Sequence, residues 1–311
     1  MATRTSPTTS DLVAQGLKRR GVDAVGTSLS IGLLIALLAS LAILITLIAD
    51  VLAGGLGTLL DRGWDFVSSP LSPRAADTGL LQGILGSIAL TAFVVVVAFP
   101  IGVGAAIYLE EYAPDNRLTR ILVANIRNLA GVPSIVYGLL GLAIFVKFLG
   151  GFTGGRTVIA GGLTLAVLVL PIMIITASEA LRAVPDDLRF ASMGVGATKW
   201  ETIRHQVLPV ALPAILTGTV LTIARAFGES APLLLAGAVL SSFFASPADA
   251  TMWQQITEEK YTALPIIVFN WARQPQKEFV ELTSAAIIVL LVLLLSVNAA
   301  AIILRDRLER K

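Results

Sequence analysis

The chain has 311 residues, of which 55% are hydrophobic and only 14% charged, with a formal net charge of +2. That balance excludes an ordinary soluble domain, in which about a quarter of residues are charged. There is no cysteine and one histidine, His205, so disulfides, thiolate metal sites and imidazole metal centres are excluded as well. So small a net charge gives no argument for nucleic acid.

In chain order, residues 1–10 read as an unstructured tail and 11–22 as a short amphipathic helix on the cytoplasmic face, within an N-terminal segment 1–25. Six apolar stretches then reach the roughly 20 residues needed to cross a bilayer: about 26–50, 83–109, 128–149, 157–178, 209–243 and 281–304. The first is longer than a signal-peptide core and meets Asp50 without a small-residue cleavage site, so it reads as a retained span. The fifth is long enough for a break or a re-entrant end. A cytoplasmic loop at 179–208, an outer loop at 245–280 and a tail at 305–311 complete the chain. Neither loop has the apolar pattern of an independent core. The expectation is one all-α integral membrane domain over 26–304.

Basic residues set the orientation. Arg4 and Lys18–Arg20, Arg117–Arg127, Arg182–Arg204 and Arg305–Lys311 flank the spans on one side, and Arg62, Arg74, Lys147, Arg156, Lys260, Arg273 and Lys277 lie on the other. The richer side is the cytoplasm, which places both termini there. Trp64, Trp253 and Trp271 fall on the outer side and Trp200 on the inner, as interfacial anchors do.

Several apparent motifs fail. Gly150–Thr157 (GGFTGGRT) imitates a phosphate-binding loop, but Arg156 stands where lysine belongs, no strand precedes it and it lies outside. Gly194 and Gly196 begin a dinucleotide pattern with no strand before them. Glu110 and Glu111 are adjacent on a helix and diverge, so they read as the inner end of the second span. No nucleophile elbow is present, and the chain carries no visible catalytic apparatus.

Two features carry chemistry. From Ala211 to Phe244, Arg225 and Glu229 are the only ionisable residues. A charge at the bilayer centre costs at least about 2.5–3.5 kcal/mol and marks a functional site with a partner; here the partner is four residues away. Pro232 removes the amide that would bond the Gly228 carbonyl, and broken helices are where transporters place substrate sites. Ser230, and Ser134 and Tyr137 behind Pro133, are candidate path-lining hydroxyls. A permanent pair that only fixes packing is the competing reading. The second feature is cytoplasmic. Pro185-Asp186-Asp187 reads as a helix start, Gly194 and Gly196 as a turn, and Ala197–His205 as a second short helix entering span five at Leu208-Pro209. Such a segment suits a socket on another protein, or simply a solvated loop.

Here the sequence resembles a family. Ala191-Ser192, Gly196 and Leu208-Pro209 have the spacing of the coupling loop of ABC importer permeases, with Phe190 in place of the motif's glutamate and Gln206 in place of its aliphatic residue. Ala224–Leu234 (ARAFGESAPLL) resembles the fifth-span signature of phosphate importer permeases, and its ending is that of the A-type subunit. Gly131–Gly138 (GVPSIVYG) is similar to their third-span motif. Leu264-Pro265, Asn270–Ala272, Pro275 and Glu278-Phe279 are similar to the A-type outer segment.

The resemblance implies a type I ABC importer permease with six spans in a bacterial inner membrane. It implies inorganic phosphate as substrate, with Arg225, Glu229, Ser230, Ser134 and Tyr137 on the path. Phe190, Ala191, Ser192, Gly196, Lys199, Leu208 and Pro209 are expected to couple to an ATPase. The implied partners are a C-type sister permease, two copies of an ABC ATPase that bind ATP and Mg, an extracytoplasmic phosphate-binding protein and membrane lipid. No cofactor is expected on this chain. A permease for sulfate or molybdate, and an ion-coupled carrier using Glu229, are the alternatives. The second would often show inverted repeats, and none is visible.

Overall fold

A computed structural model describes residues 24–240 and 260–309. The expected helix at 11–22, Trp253 and the 241–259 part of the outer loop lie outside the described residues. Every described element is helical. The contacts form two units, one ending at Ala53 and the other beginning at Gly54.

Helix α1 runs over Ala24–Ser68 and leaves helical geometry only at Gly63 (φ 49°, ψ −122°). It outlasts the expected span 26–50 because a single carboxylate, Asp50, does not stop a helix. Within the first unit, the hydroxyls of Ser28, Ser30, Ser40 and Thr46 donate to carbonyls three or four residues back in the same helix. That satisfies them where no water is present.

In the second unit, α2 (Leu81–Ile107) ends in a π-helical turn, Tyr108–Tyr112. Helix α3 (Arg117–Ala130) starts on Asn116, whose side chain accepts from the Thr119 amide at 2.9 Å. Helix α4 (Ser134–Gly141) continues as a π-helical stretch to Phe148. Helix α5 spans Val158–Arg182 and α6 spans Asp186–Gly194. Helix α7 (Lys199–Thr202) runs through a π turn into α8 (Leu208–Gly228). The short α9 (Ala231–Leu235), α10 (Leu264–Trp271) and α11 (Lys277–Glu309) follow. Five described helices are long and apolar enough to cross a membrane; α3 and α4, bent by 101° across Pro133, make a sixth if taken as one span.

The third span therefore differs from its expected range of 128–149. Residues 128–130 belong to α3, an amphipathic helix. Its Thr119, Val123, Ile126 and Ala130 are half-buried at helical spacing, while Arg120 and Arg127 are exposed on one side and Leu118, Leu122 and Leu129 on the other. Pro133 ends it, because proline cannot donate to the Leu129 carbonyl four residues back.

Helices α2 and α5 form the centre of the unit, with Leu90, Val94 and Ala98 against Leu165, Val169 and neighbouring residues. Small residues let the backbones approach. Gly102 faces the Met173 side chain, and a Cβ on Gly218 would lie 2.7 Å from Thr176 Cβ. Pro100 and Pro171 sit inside continuous helices. Trp271 departs from the anchor reading: it is 2% exposed, packed between Phe66 and Phe279 with ring centroids 6.4 and 6.0 Å away.

The expected break in span five is present. Helix α8 ends at Gly228, Glu229 is extended (φ −77°, ψ 116°), and the chain restarts as α9 with Pro232 in its first turn. Helix α9 lies on α4 so closely that a Cβ on Gly138 would sit 2.7 Å from Pro232 Cα. Gly138→Val is therefore expected to destabilise the protein by about 1–3 kcal/mol, the usual cost of overpacking. Gly104→Ala, which meets open space, should not. Thermal unfolding of the two variants in detergent checks this.

Candidate translocation and coupling sites

The pair in span five straddles the break. Arg225 is on the last turn of α8, whereas Glu229 lies just past its end rather than on the same helix face. Their side chains still meet, Arg225 Nε to Glu229 Oε1 at 3.4 Å, with Arg225 47% and Glu229 17% exposed. Burial around α8 explains the asymmetry. Ile215, Gly218, Thr222 and Ala226 turn inward, while Ala214, Thr217, Leu221, Arg225 and Gly228 form an exposed stripe at helical spacing. Near its inner end, Arg305 donates to Thr217 Oγ1 at 3.1 Å.

The other expected path residues come from α4 and the linker. Ser134 and Ser230 are half-buried. Tyr137 is buried at 5% exposure, and its hydroxyl donates to the Leu129 carbonyl at 2.8 Å. The Val132 amide also reaches that carbonyl, at 3.0 Å, so the phenol is its second donor and straps the α3–α4 bend. Arg225 is within electrostatic reach of the ring. The third-span and fifth-span motifs are thus neighbours, joined through Gly138 and Pro232.

The cytoplasmic segment is built as its sequence suggests, with added detail. Helix α6 starts after Pro185 with Asp186 and Asp187 in its first turn. Gly196 turns the chain at φ 95°, a left-handed conformation that side chains resist. A reciprocal cap starts α7: Thr198 accepts from the Glu201 amide and Glu201 accepts from the Thr198 amide. Across the turn, the Ser192 and Thr202 hydroxyls meet at 2.9 Å. Phe190 is 67% and Val195 87% exposed; Ala191 and Lys199 are also exposed, as is Pro209, and Leu208 is half-buried.

Sequence reasoning missed the far side of this segment. Arg182 donates to both oxygens of Glu110, at 3.1 and 2.7 Å. Arg189 donates to Glu111 at 2.9 and 3.2 Å, to Asp186 at 3.1 Å, and to the Leu181 and Val184 carbonyls at 2.9 and 2.7 Å. The Arg189 and Glu111 side chains are 15% and 7% exposed, and removing one partner of so buried a pair costs about 3–5 kcal/mol. The available signal was two acids at the inner end of one span and two arginines seven residues apart after another.

Residues 98–311 match the model of the family described as "Binding-protein-dependent transport system inner membrane component". The chain is 36% identical over 237 residues to the phosphate transport system permease protein PstA of Yersinia pestis, covering 76% of each chain. It is 35% identical over 218 residues to the probable ABC transporter permease protein YqgI of Bacillus subtilis (strain 168), covering 70% of this chain and 71% of that one. Its fold is similar to a solved structure of the MetNI methionine ABC transporter in an inward-facing conformation, with a TM-score of 0.54 and 21% identity, covering 74% of this chain and 95% of that one. An all-helical chain with five or six spans and a helix–glycine–helix segment before span five, matched by the family over most of its length, belongs to the inner membrane components of binding-protein-dependent transport systems.

Proposed function

We propose that this chain is one of two permease subunits in an ATP-driven importer of inorganic phosphate in a bacterial cell membrane. Its likeness to phosphate transport permeases supports the substrate. The observation that carries the reading is Arg225, a half-exposed guanidinium on the open stripe of an otherwise apolar span, beside a helix break. Intramembrane charges face a bundle interior or a water-filled path, so the stripe faces a path completed by a C-type sister permease. Guanidinium binds phosphate oxygens through planar, bidentate, charge-assisted bonds. Glu229 neutralises Arg225 while the path is empty, and the anion competes with it during transport; Ser230 and Ser134 offer hydroxyls nearby.

Energy arrives from two copies of a separate ATPase, which bind ATP and Mg. Their seat is α6 and the Gly196 turn, with Phe190, Ala191 and Val195 outermost. An extracytoplasmic binding protein delivers phosphate. Movement of α6 passes to α5 through residues 183–185 and to α8 through α7, where Lys199 begins the helix and Leu208-Pro209 enter the membrane.

Two measurements in proteoliposomes holding the whole importer test this. Arg225→Gln should assemble normally but lower radiolabelled phosphate uptake by roughly ten- to a hundredfold, the equivalent of one charged hydrogen bond worth about 1.5–3 kcal/mol. Uptake at the unaltered rate rules out the role. Gly196→Val forces a β-branched residue into a left-handed conformation costing about 1–3 kcal/mol. It should leave the ATPase able to hydrolyse ATP while phosphate moved per ATP falls; equal coupling in both proteins rejects the ATPase seat.

A further inference from the structure

We infer that the consecutive residues Glu110, Glu111 and Tyr112 clamp α2 to the coupling segment, so that a stroke delivered to α6 also moves span two. Their π-helical turn closes the inner end of α2, with the Ala113 amide on the Tyr108 carbonyl at 2.8 Å. Each residue holds a different piece of the facing chain. Glu110 holds Arg182 at the end of α5, Glu111 holds Arg189 on α6, and the Tyr112 ring lies under Lys199 of α7, with the ammonium 5.1 Å from its centroid. Three successive side chains therefore grip the chain before, within and after the α6 seat that the ATPase is proposed to move.

Covalent links do not explain this arrangement. Helices α5 and α8 adjoin the coupling segment in sequence, whereas Glu111 and Arg189 are 78 residues apart. The Arg189 fork is fully used, bonding Glu111, Asp186, the Leu181 carbonyl of α5 and the Val184 carbonyl of the linker at once. A rigid planar fork with every arm engaged transmits displacement instead of absorbing it. Glu111 acts through Arg189 and is a positioning residue. The inference rests on the reading of α6 as the ATPase seat. It adds a third helix to the moving set, α2, which no short linker joins to the coupling segment.

The test uses the complete importer in proteoliposomes with Glu111→Gln and Arg189→Lys. The chain has no cysteine, so when it is labelled before assembly with its partners, spin labels at Tyr108→Cys and Leu188→Cys report the α2–α6 distance. With the clamp intact that distance is the same before and after ATP binding. In Glu111→Gln it changes on ATP binding, and phosphate moved per ATP falls by roughly tenfold, within the range in which single substitutions alter coupling. ATP hydrolysis persists, and Arg189→Lys, which keeps the charge but not the planar fork, shows the same losses. An unchanged distance together with unchanged phosphate per ATP in Glu111→Gln overturns the inference. If that variant does not assemble, Tyr112→Leu decides: it leaves the buried pair intact, and the same losses, smaller in size, support the clamp while their absence overturns it. Should the unaltered importer carry no phosphate, the proposed substrate fails, and the label distance still decides the clamp.

Discussion

A backbone that leaves the helix inside a bilayer must find its hydrogen bonds within the protein. In this chain that constraint governs the two places where a span is interrupted. Pro133 withholds the helical amide from the Leu129 carbonyl, which accepts instead from the Val132 amide at 3.0 Å and the Tyr137 hydroxyl at 2.8 Å. Pro232 does the same to the Gly228 carbonyl, and there the chain opens into an extended residue before α9 begins. The two interruptions lie against each other, because the missing Cβ of Gly138 lets α4 sit on Pro232. Irregular backbone at this depth is tolerated only where protein or a water-filled path covers it. One side of this break is packed by α4, and the other carries Arg225.

The chain uses ion pairs in two physically different ways. Arg225 and Glu229 meet at 3.4 Å without hydrogen-bond geometry, and the guanidinium keeps nearly half its surface exposed. A pair so loosely made leaves the cation free to change partners. Arg189 is the reverse: five hydrogen bonds, 15% exposure and a carboxylate partner at 7%. Such a pair contributes little net stability over apolar packing but is costly to break, which suits a joint more than a ligand site. Burial, more than charge, separates the two roles.

Local signals were legible in the sequence. Runs of apolar residues marked the spans, the Gly228 and Pro232 pattern marked the break, and Pro185 with two aspartates marked the start of α6. Long-range information was not. Nothing near Glu110 names Arg182, 72 residues away, so the acids read as a helix end. Trp271 read as an interfacial anchor because its outer position was visible and its neighbours Phe66 and Phe279 were not. The third span was drawn through 128–130 because apolar content alone does not distinguish an amphipathic helix, polar along one edge, from the start of a span. Tyr137 read as a path hydroxyl, and its bond to the Leu129 carbonyl eight residues back was not legible.

The break also determines what a stroke from the cytoplasm does under the proposed function. Helix α8 is continuous from Leu208 to Gly228, about 1.5 Å per residue along its axis, and a π turn joins it to α7 without leaving the helix. A tilt imposed at Gly196 therefore reaches Arg225 through unbroken helix, with Pro213 inside it. It cannot be passed on as rigidly, because Glu229 is extended and α9 is held on α4 by the contact at Gly138. Arg225 thus rides on the moving side of the break, and Glu229 sits at the break itself, its amide on the Ala226 carbonyl of α8 at 3.4 Å. Motion of α8 against α9 is concentrated at this extended residue and its loose pair, so under the proposed function the tilt that opens the path also displaces the contact that holds the guanidinium.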